Sequence, residues 1–378
     1  MREGRKVFKV LRASDLQLKQ ESDCVILWRP RRPMRARPSA ESFLVWKQRD
    51  YADLPVSLNK SQTASVAVSQ ERFDMPDEQR YREVERRLWA HVGLSPVEQR
   101  IQLAGVGVRV QILGDGPPVV LLHGILNAGS TWALLMPYLT KFRCYVLDSP
   151  GTGLSYDFSL TGDLHGFARG FLPGVLDQLS LGRAHVVASS FGGFLALMSA
   201  AAAPERTLRM VQMACPAFVP GMSIPGFMKA LSLGPVRWLM NILPPNEKVD
   251  RSVFRQIGHG ASLDANRIPQ IFFEWDLALQ RYTNTMRNDG EMIGRAGSLR
   301  GFPPELTIPD DLLRSVTVPT LFLWGEDDPF GSAAVARHVV ELMPRASLRM
   351  LPAAGHMPWL DDPEGTGQAT ADFLAATD

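Results

Sequence analysis

The stretch 184–203, AHVVASSFGGFLALMSAAAA, constrains this chain more than any other. It opens on His185-Val186-Val187-Ala188, a short apolar, β-branched run of the kind that fits a buried parallel strand. From Phe194 onward the residues favour a helix. Between the two stand only Ser189-Ser190-Phe191-Gly192-Gly193, too few for a relaxed loop, so the chain must turn sharply from strand to helix on small residues. A serine at such a corner is pushed out beyond the sheet edge, and the helix starting behind it favours nearby negative charge. The pattern for a nucleophile so placed is G-x-S-x-G. Ala188-Ser189-Ser190-Phe191-Gly192 fits it with alanine at the first glycine, and the spacing selects Ser190 over its neighbour Ser189.

The rest of the chain is organised to suit that corner. In 76–93, Tyr81, Val84, Leu88 and Val92 recur at helical spacing, with Pro76 and Asp77 suited to a first turn and Gly93 to an end. Residues 100–113 alternate around Ala104-Gly105-Val106-Gly107 as an antiparallel hairpin would. From Pro118, strands expected at 119–122, 143–147, 185–188, 208–214, 320–324 and 347–351 alternate with helices at 131–139, 164–179, 332–343 and 365–376. That alternation implies an α/β, doubly wound, mostly parallel sheet covered on both faces. Between 217 and 311 the apolar residues follow helical periods broken by proline and glycine.

Residues 1–74 read as a disordered or mis-started extension, with Met75 as the native start, or as an arm for an anionic surface or targeting. The run 29–38 is basic and proline-broken, and 57–70 is polar without a period. The chain, 45% hydrophobic over 378 residues, is long enough for one large core, or a core carrying an insertion. A net charge of +2 offers no argument for a nucleic-acid partner. Cys24, Cys144 and Cys215 show no CxxC spacing and no paired framework. Cys144 and Cys215 fall in expected strands as small core residues, which suits a reducing compartment. No segment has the apolar length of a membrane span, and the first twenty residues lack the core of a secretory signal. The expectation is a soluble, cytoplasmic protein with a small-molecule substrate, its oligomeric state left open.

In an open α/β sheet the ligand site lies beyond the carboxyl ends of the strands. Four expected strands are followed directly by chemically capable groups: His123-Gly124-Ile125-Leu126-Asn127, the Ser190 corner, Gly325-Glu326-Asp327-Asp328-Pro329, and Pro352-Ala353-Ala354-Gly355-His356. In this order the four motifs resemble the α/β-hydrolase fold family, and within it the serine hydrolases with a helical cap. The resemblance covers roughly residues 76–378. It implies an eight-stranded-type sheet, a core of 75–216 and 312–378, and a cap of 217–311 inserted after the sixth strand.

The resemblance also implies roles. Ser190 is the nucleophile, His356 the general base and Asp328, at the family's G-x-x-D spacing in preference to Asp327, the acid that orients it. The backbone N–H groups of Ile125 and Phe191 form the oxyanion hole. His123 shapes the Ile125 loop, and His259 in the cap either lines the pocket or is structural. No metal or other cofactor is called for: HExxH is absent, and Asp148-Ser149-Pro150-Gly151-Thr152-Gly153 lacks the lysine of a phosphate loop. The leading activity is hydrolysis of a carboxylic ester with a small or medium apolar acyl group, through an acyl-enzyme. The alternatives are carbon–carbon bond hydrolysis of the meta-cleavage-product type, for which Arg287 or Arg295 would have to face the site, acyl transfer, and a ligand sensor on the same fold.

Overall fold

The computed structural model describes residues 17–21, 24–28, 77–158 and 162–377. The chain divides into two units, Met1–Gln70 and Glu71–Asp378. In the first, β1 (Gln17–Glu21) and β2 (Cys24–Trp28) pair as an antiparallel hairpin. The extension expected over 1–74, with its basic run, otherwise lies outside the described residues.

The second unit is built on β3 (Val97–Leu103), β4 (Val106–Leu113), β5 (Pro118–Leu122), β6 (Arg143–Leu147), β7 (Ala184–Ser189), β8 (Thr207–Met213), β9 (Thr320–Gly325) and β10 (Ala346–Leu351). They form one sheet in the order β10-β9-β8-β7-β5-β6-β4-β3. β3 and β4 pair antiparallel, as does β4 with β6, and every other pairing is parallel. The central strand β7 is buried at each of its six positions, which is why it reads as a continuous apolar run rather than an alternation. After β5 the chain first adds β6 on one side and later β7 on the other, so the strand order reverses at β5. A crevice opens at such a switch point, beyond the ends of β5 and β7.

Helix α1 (Glu78–His91) is capped by Asp77, whose carboxylate accepts from the Arg80 N–H at 3.2 Å. It buries Tyr81, Leu88 and Trp89, but also Glu85, a position that helical periodicity assigns to no role. α2 (Leu164–Gln178) runs through Pro173 without ending. α3 (Ser190–Ala202) starts at the corner serine and buries Phe194, Leu195, Leu197 and Met198, each such side chain contributing roughly 1.5–3 kcal/mol.

Between β8 and β9 lies a helical insertion: α4 (Gly226–Leu231), α5 (Gly234–Ile242), α6 (Glu247–Phe254), α7 (Gly260–Asp264), α8 (Gln270–Tyr282) and α9 (Thr285–Ala296). α10 (Asp310–Ser315) then leads back to the sheet, and α11 (Ala333–Leu342), α12 (Pro358–Asp361) and α13 (Pro363–Ala375) complete the chain. None of the described helices is long and apolar enough to cross a membrane.

Two expectations need correction. The helix expected at 131–139 is a pair of short 3₁₀ segments, Gly129–Leu134 and Met136–Leu139. Pro137 has no N–H to continue an α-helical ladder. Cys215 lies not in a strand but in the loop after β8, where its N–H faces Asp328.

Candidate active site

The corner between β7 and α3 is as sharp as the sequence requires. Ser190 has φ of 52°, in the left-handed region that a residue with a Cβ avoids. Ser190 C=O accepts from the Ala217 N–H at 2.9 Å, tying the corner to the loop after β8. Gly192 is needed for close approach, because a Cβ there would lie 2.3 Å from the Leu122 carbonyl oxygen. Phe191 is the second residue of α3, so its N–H has no partner within the helix and faces outward from the first turn. Residues in the loops after β5, β8 and β10 share the positive-φ strain, among them Leu126 (59°), Ala214 (67°), Phe218 (62°) and Ala353 (52°). Such strain concentrates where the surrounding structure enforces a functional geometry.

The loops after β9 and β10 bring Asp328 and His356 together. His356 Nδ1 lies 3.0 and 2.9 Å from the two Asp328 carboxylate oxygens. Asp328 is held in turn by the N–H groups of Cys215 and Phe330, each at 2.9 Å. Both residues are buried, and the Phe330 ring packs on the imidazole with centroids 4.2 Å apart. A proton on Nδ1 bound to Asp328 leaves Nε2 with its lone pair, the tautomer a general base needs. Asp327 instead donates its backbone N–H to Ala354 O and does not reach the imidazole pair.

Ser190 and His356 open onto one cavity of about 350 Å³, with Ile125 and Phe191 at its floor. Its wall is largely apolar and includes Phe218, Phe227, Met240 and Phe254. Beneath Ile125, His123 is buried, and burial lowers its imidazole below the usual value. Nε2 accepts from the Ser149 N–H at 3.0 Å, so the proton sits on Nδ1 and is donated to Gly124 O at 2.7 Å. That wiring shapes the Ile125 loop and leaves His123 without a lone pair for chemistry.

The alpha/beta hydrolase family model matches residues 119–369, from β5 into α13. The chain belongs to the alpha/beta hydrolase family. It is 29% identical over 268 residues to a 2-hydroxy-6-oxononadienedioate/2-hydroxy-6-oxononatrienedioate hydrolase of Burkholderia vietnamiensis, covering 68% of this chain and 86% of that one. It is 30% identical over 281 residues to a pimeloyl-(acyl-carrier protein) methyl ester esterase of Photobacterium profundum, covering 70% and 97%. Among solved structures, a carboxylesterase of Bacillus subtilis superposes with a TM-score of 0.63 at 20% identity, covering 80% of this chain and 99% of that one.

This hydrolase holds its histidine loop with residues that sequence reasoning did not single out for that purpose. His356 N–H donates to Ile257 O at 2.9 Å, from the turn between α6 and α7. Gly258 in that turn has φ of 99°, and a Cβ there would lie 2.3 Å from Asp327 O. His259, fully buried, points Nδ1 at Asp361 at 2.8 Å and accepts the Met357 N–H on Nε2 at 3.3 Å. Asp361 also accepts the Gly355 N–H at 2.8 Å. Of the two readings open for His259, the structural one holds: it does not line the cavity but ties the insertion to both sides of His356. The only forewarning in the sequence was Gly258-His259-Gly260, a histidine flanked by glycines. Beside Ile125, buried Asp289 of α9 accepts the Leu126 N–H at 2.5 Å. Burial pushes its carboxyl up to about 7, against the lowering effect of that bond.

Proposed function

We propose that this protein is a cofactor-independent serine hydrolase that cleaves carboxylic esters with a small or medium, mainly apolar acyl group. Ser190 attacks the ester carbonyl while His356 Nε2 takes its proton, and Asp328 stabilises the imidazolium that results. The N–H groups of Ile125 and Phe191 receive the developing oxyanion; losing one such donor typically costs about 10²- to 10³-fold in rate. Protonated His356 gives its proton to the leaving alkoxide, and a water activated by the same nitrogen then releases the acid. Residues 217–311 act as the cap: α4, α5, α6, α8 and α9 each supply walls of the cavity. A reducing, cytoplasmic setting belongs to the same reading, and the buried free thiols of Cys144 and Cys215 support it.

The observation that carries the ester reading is the chemistry of the cavity wall. Among the described residues lining it there is neither Arg nor Lys. Arg287 is paired with Asp157 at 2.5 Å, and Arg295 lies 3.6 Å from Glu291 and lines an adjoining cavity that shares Gly124, Ile125 and Phe191 with this one. Within the Ser190 cavity itself the carboxylate of an acidic dienol would meet no cationic lining residue, whereas an uncharged ester needs none. Carbon–carbon hydrolysis remains the second reading, supported by the named activity of the relative from Burkholderia vietnamiensis.

The test follows p-nitrophenyl esters of rising acyl length, and an acidic dienol ketone, with the full chain and with Ser190→Ala. Ester turnover with a length optimum is expected, falling on the order of 10⁶-fold in kcat for the variant. Dienol cleavage faster than any ester would replace the reading with carbon–carbon hydrolysis. Activity retained in a well-folded Ser190→Ala protein would remove Ser190 from the mechanism.

A further inference from the structure

Away from Ser189, Ser190, His356 and Asn127, the wall of the Ser190 cavity is apolar except at one place in the insertion, where Asp250 of α6 meets Asp276 and Gln280 of α8. Both aspartates are buried, at 6% and 7% exposure, and both line the cavity. The Gln280 amide donates to Asp250 Oδ1 at 2.9 Å and to Asp276 Oδ2 at 2.6 Å. Asp250 Oδ2 is buried and accepts no hydrogen bond. The charge of Arg251 acts on Asp250 only through space, its guanidinium being bound to Glu247 at 2.8 Å and Gln270 at 2.7 Å rather than to either aspartate.

Two carboxyl groups served by one amide have more acceptor capacity than donors. A buried carboxylate without a partner is costly, so such groups are retained where something fills them. A proton shared between the two carboxyls supplies one missing donor. In agreement, burial raises the Asp250 carboxyl, and burial with the charge of Asp250 raises Asp276 well above the usual range. A ligand that brings its own positive charge and several N–H donors can replace that proton; an alkyl chain or a carboxylate cannot.

We propose that Asp250, Asp276 and Gln280 form a specificity site for a protonated amine at the end of the substrate remote from the scissile carbonyl. The substrate class is then an ester with an apolar stem and an ammonium terminus, and the same site rejects acyl chains that end in a carboxylate. This deepens the esterase reading of the Ser190 cavity and rests on it for the position of the scissile bond.

Two measurements test it. In the first, kcat/KM is compared for p-nitrophenyl esters of equal length ending in an amino, a methyl or a carboxyl group. The amino ester is expected to exceed the carboxy ester at least tenfold, and Asp250→Asn to lower the amino-to-methyl ratio at least tenfold. In the second, calorimetry on Ser190→Ala follows binding of hexylammonium and hexanoate, with no turnover required. Hexylammonium is expected to bind at least tenfold tighter than hexanoate, and to lose that advantage when Asp250→Asn or Asp276→Asn is added. Esters left uncleaved while hexylammonium binds in this manner would defeat the esterase reading alone. Prompt ester turnover indifferent to the terminal group, or hexanoate binding as tightly as hexylammonium, would overturn the amine site alone.

Discussion

Ser190 combines two demands that pull against each other: the hydroxyl must stand clear of the sheet, and the backbone that achieves this is left-handed at φ 52°. For a residue with a Cβ that conformation costs roughly 1–2 kcal/mol, whereas glycine adopts it freely. Ser190→Ala keeps the Cβ and so keeps the strain. Ser190→Gly is therefore expected to be about 1 kcal/mol more stable than Ser190→Ala, read as a difference in urea midpoints, although both lack the hydroxyl. A stability order reversed between the two would mean that the corner is not strained as its dihedral implies. The residue itself was legible in the sequence, since the shortness of the corner and the x-G spacing after Ser190 single it out. Its strain follows from the same brevity.

At the level of elements, α1 is joined to the sheet through charge as well as apolar burial. Arg109 of β4, about 1% exposed, donates to both Glu85 oxygens at 2.9 and 2.6 Å, and reaches Asp148 at 3.2 Å and Glu98 at 2.6 Å. Asp148 in turn accepts the N–H groups of Gly129 and Leu154, both at 2.8 Å, shaping the loop after β6. Breaking such a buried pair from one side leaves an uncompensated charge, a loss of roughly 3–5 kcal/mol. Arg109→Met is expected to lose that much in chemical denaturation, and Arg109→Met with Glu85→Leu to regain part of it. Additive losses in the double variant would show that the pairing itself is not what matters. The period of α1 was readable from Tyr81 and Leu88, and it puts Glu85 on the same face, but nothing in it says what a buried carboxylate there would meet. Its partner is on another element, and no local pattern announces it. The turn at Gly258 belongs to the same scale. Gly258→Ala should push the Asp327 and His356 loops apart and lower kcat in ester hydrolysis by at least tenfold, with KM less affected; an unchanged kcat would show that the turn does not position His356.

Across the whole hydrolase unit, the insertion is pinned to the core on both sides of the cavity. His259 reaches Asp361 on one side, and Asp289 reaches the Leu126 N–H on the other. The second contact links stability to pH. Asp289 titrates at about 7 when folded against 3.8 as an ordinary aspartate. Below about 3.8 both states hold the proton and the contribution is fully present. As pH rises toward 7 the unfolded chain has released its proton while the native state keeps it, so stability falls over that window and levels off above it. Asp289→Asn keeps an oxygen for Leu126 and should remove a slope on the order of 4 kcal/mol between about pH 4 and 7. Denaturant midpoints of the two proteins at several pH values read this directly, the difference between them cancelling the titration of Asp250 and Asp276. Parallel curves would mean that Asp289 is solvated in the native state.

The sequence by itself determined the alternation of strands and helices, the corner at Ser190, and the order in which Ile125, Ser190, Asp328 and His356 follow their strands. These properties are local: a run of β-branched residues, a turn too short for anything but small residues, a loop directly after a strand. Only the tertiary structure decided what surrounds those groups, because it depends on side chains far apart in the chain meeting in a low-dielectric interior. Asp250 meets Asp276, Glu85 meets Arg109, and His259 meets Asp361 across 102 positions. No local pattern in the sequence names these partners. Burial, which the sequence does not specify position by position, turns them into a ligand site, a structural ion pair and the support of the histidine loop.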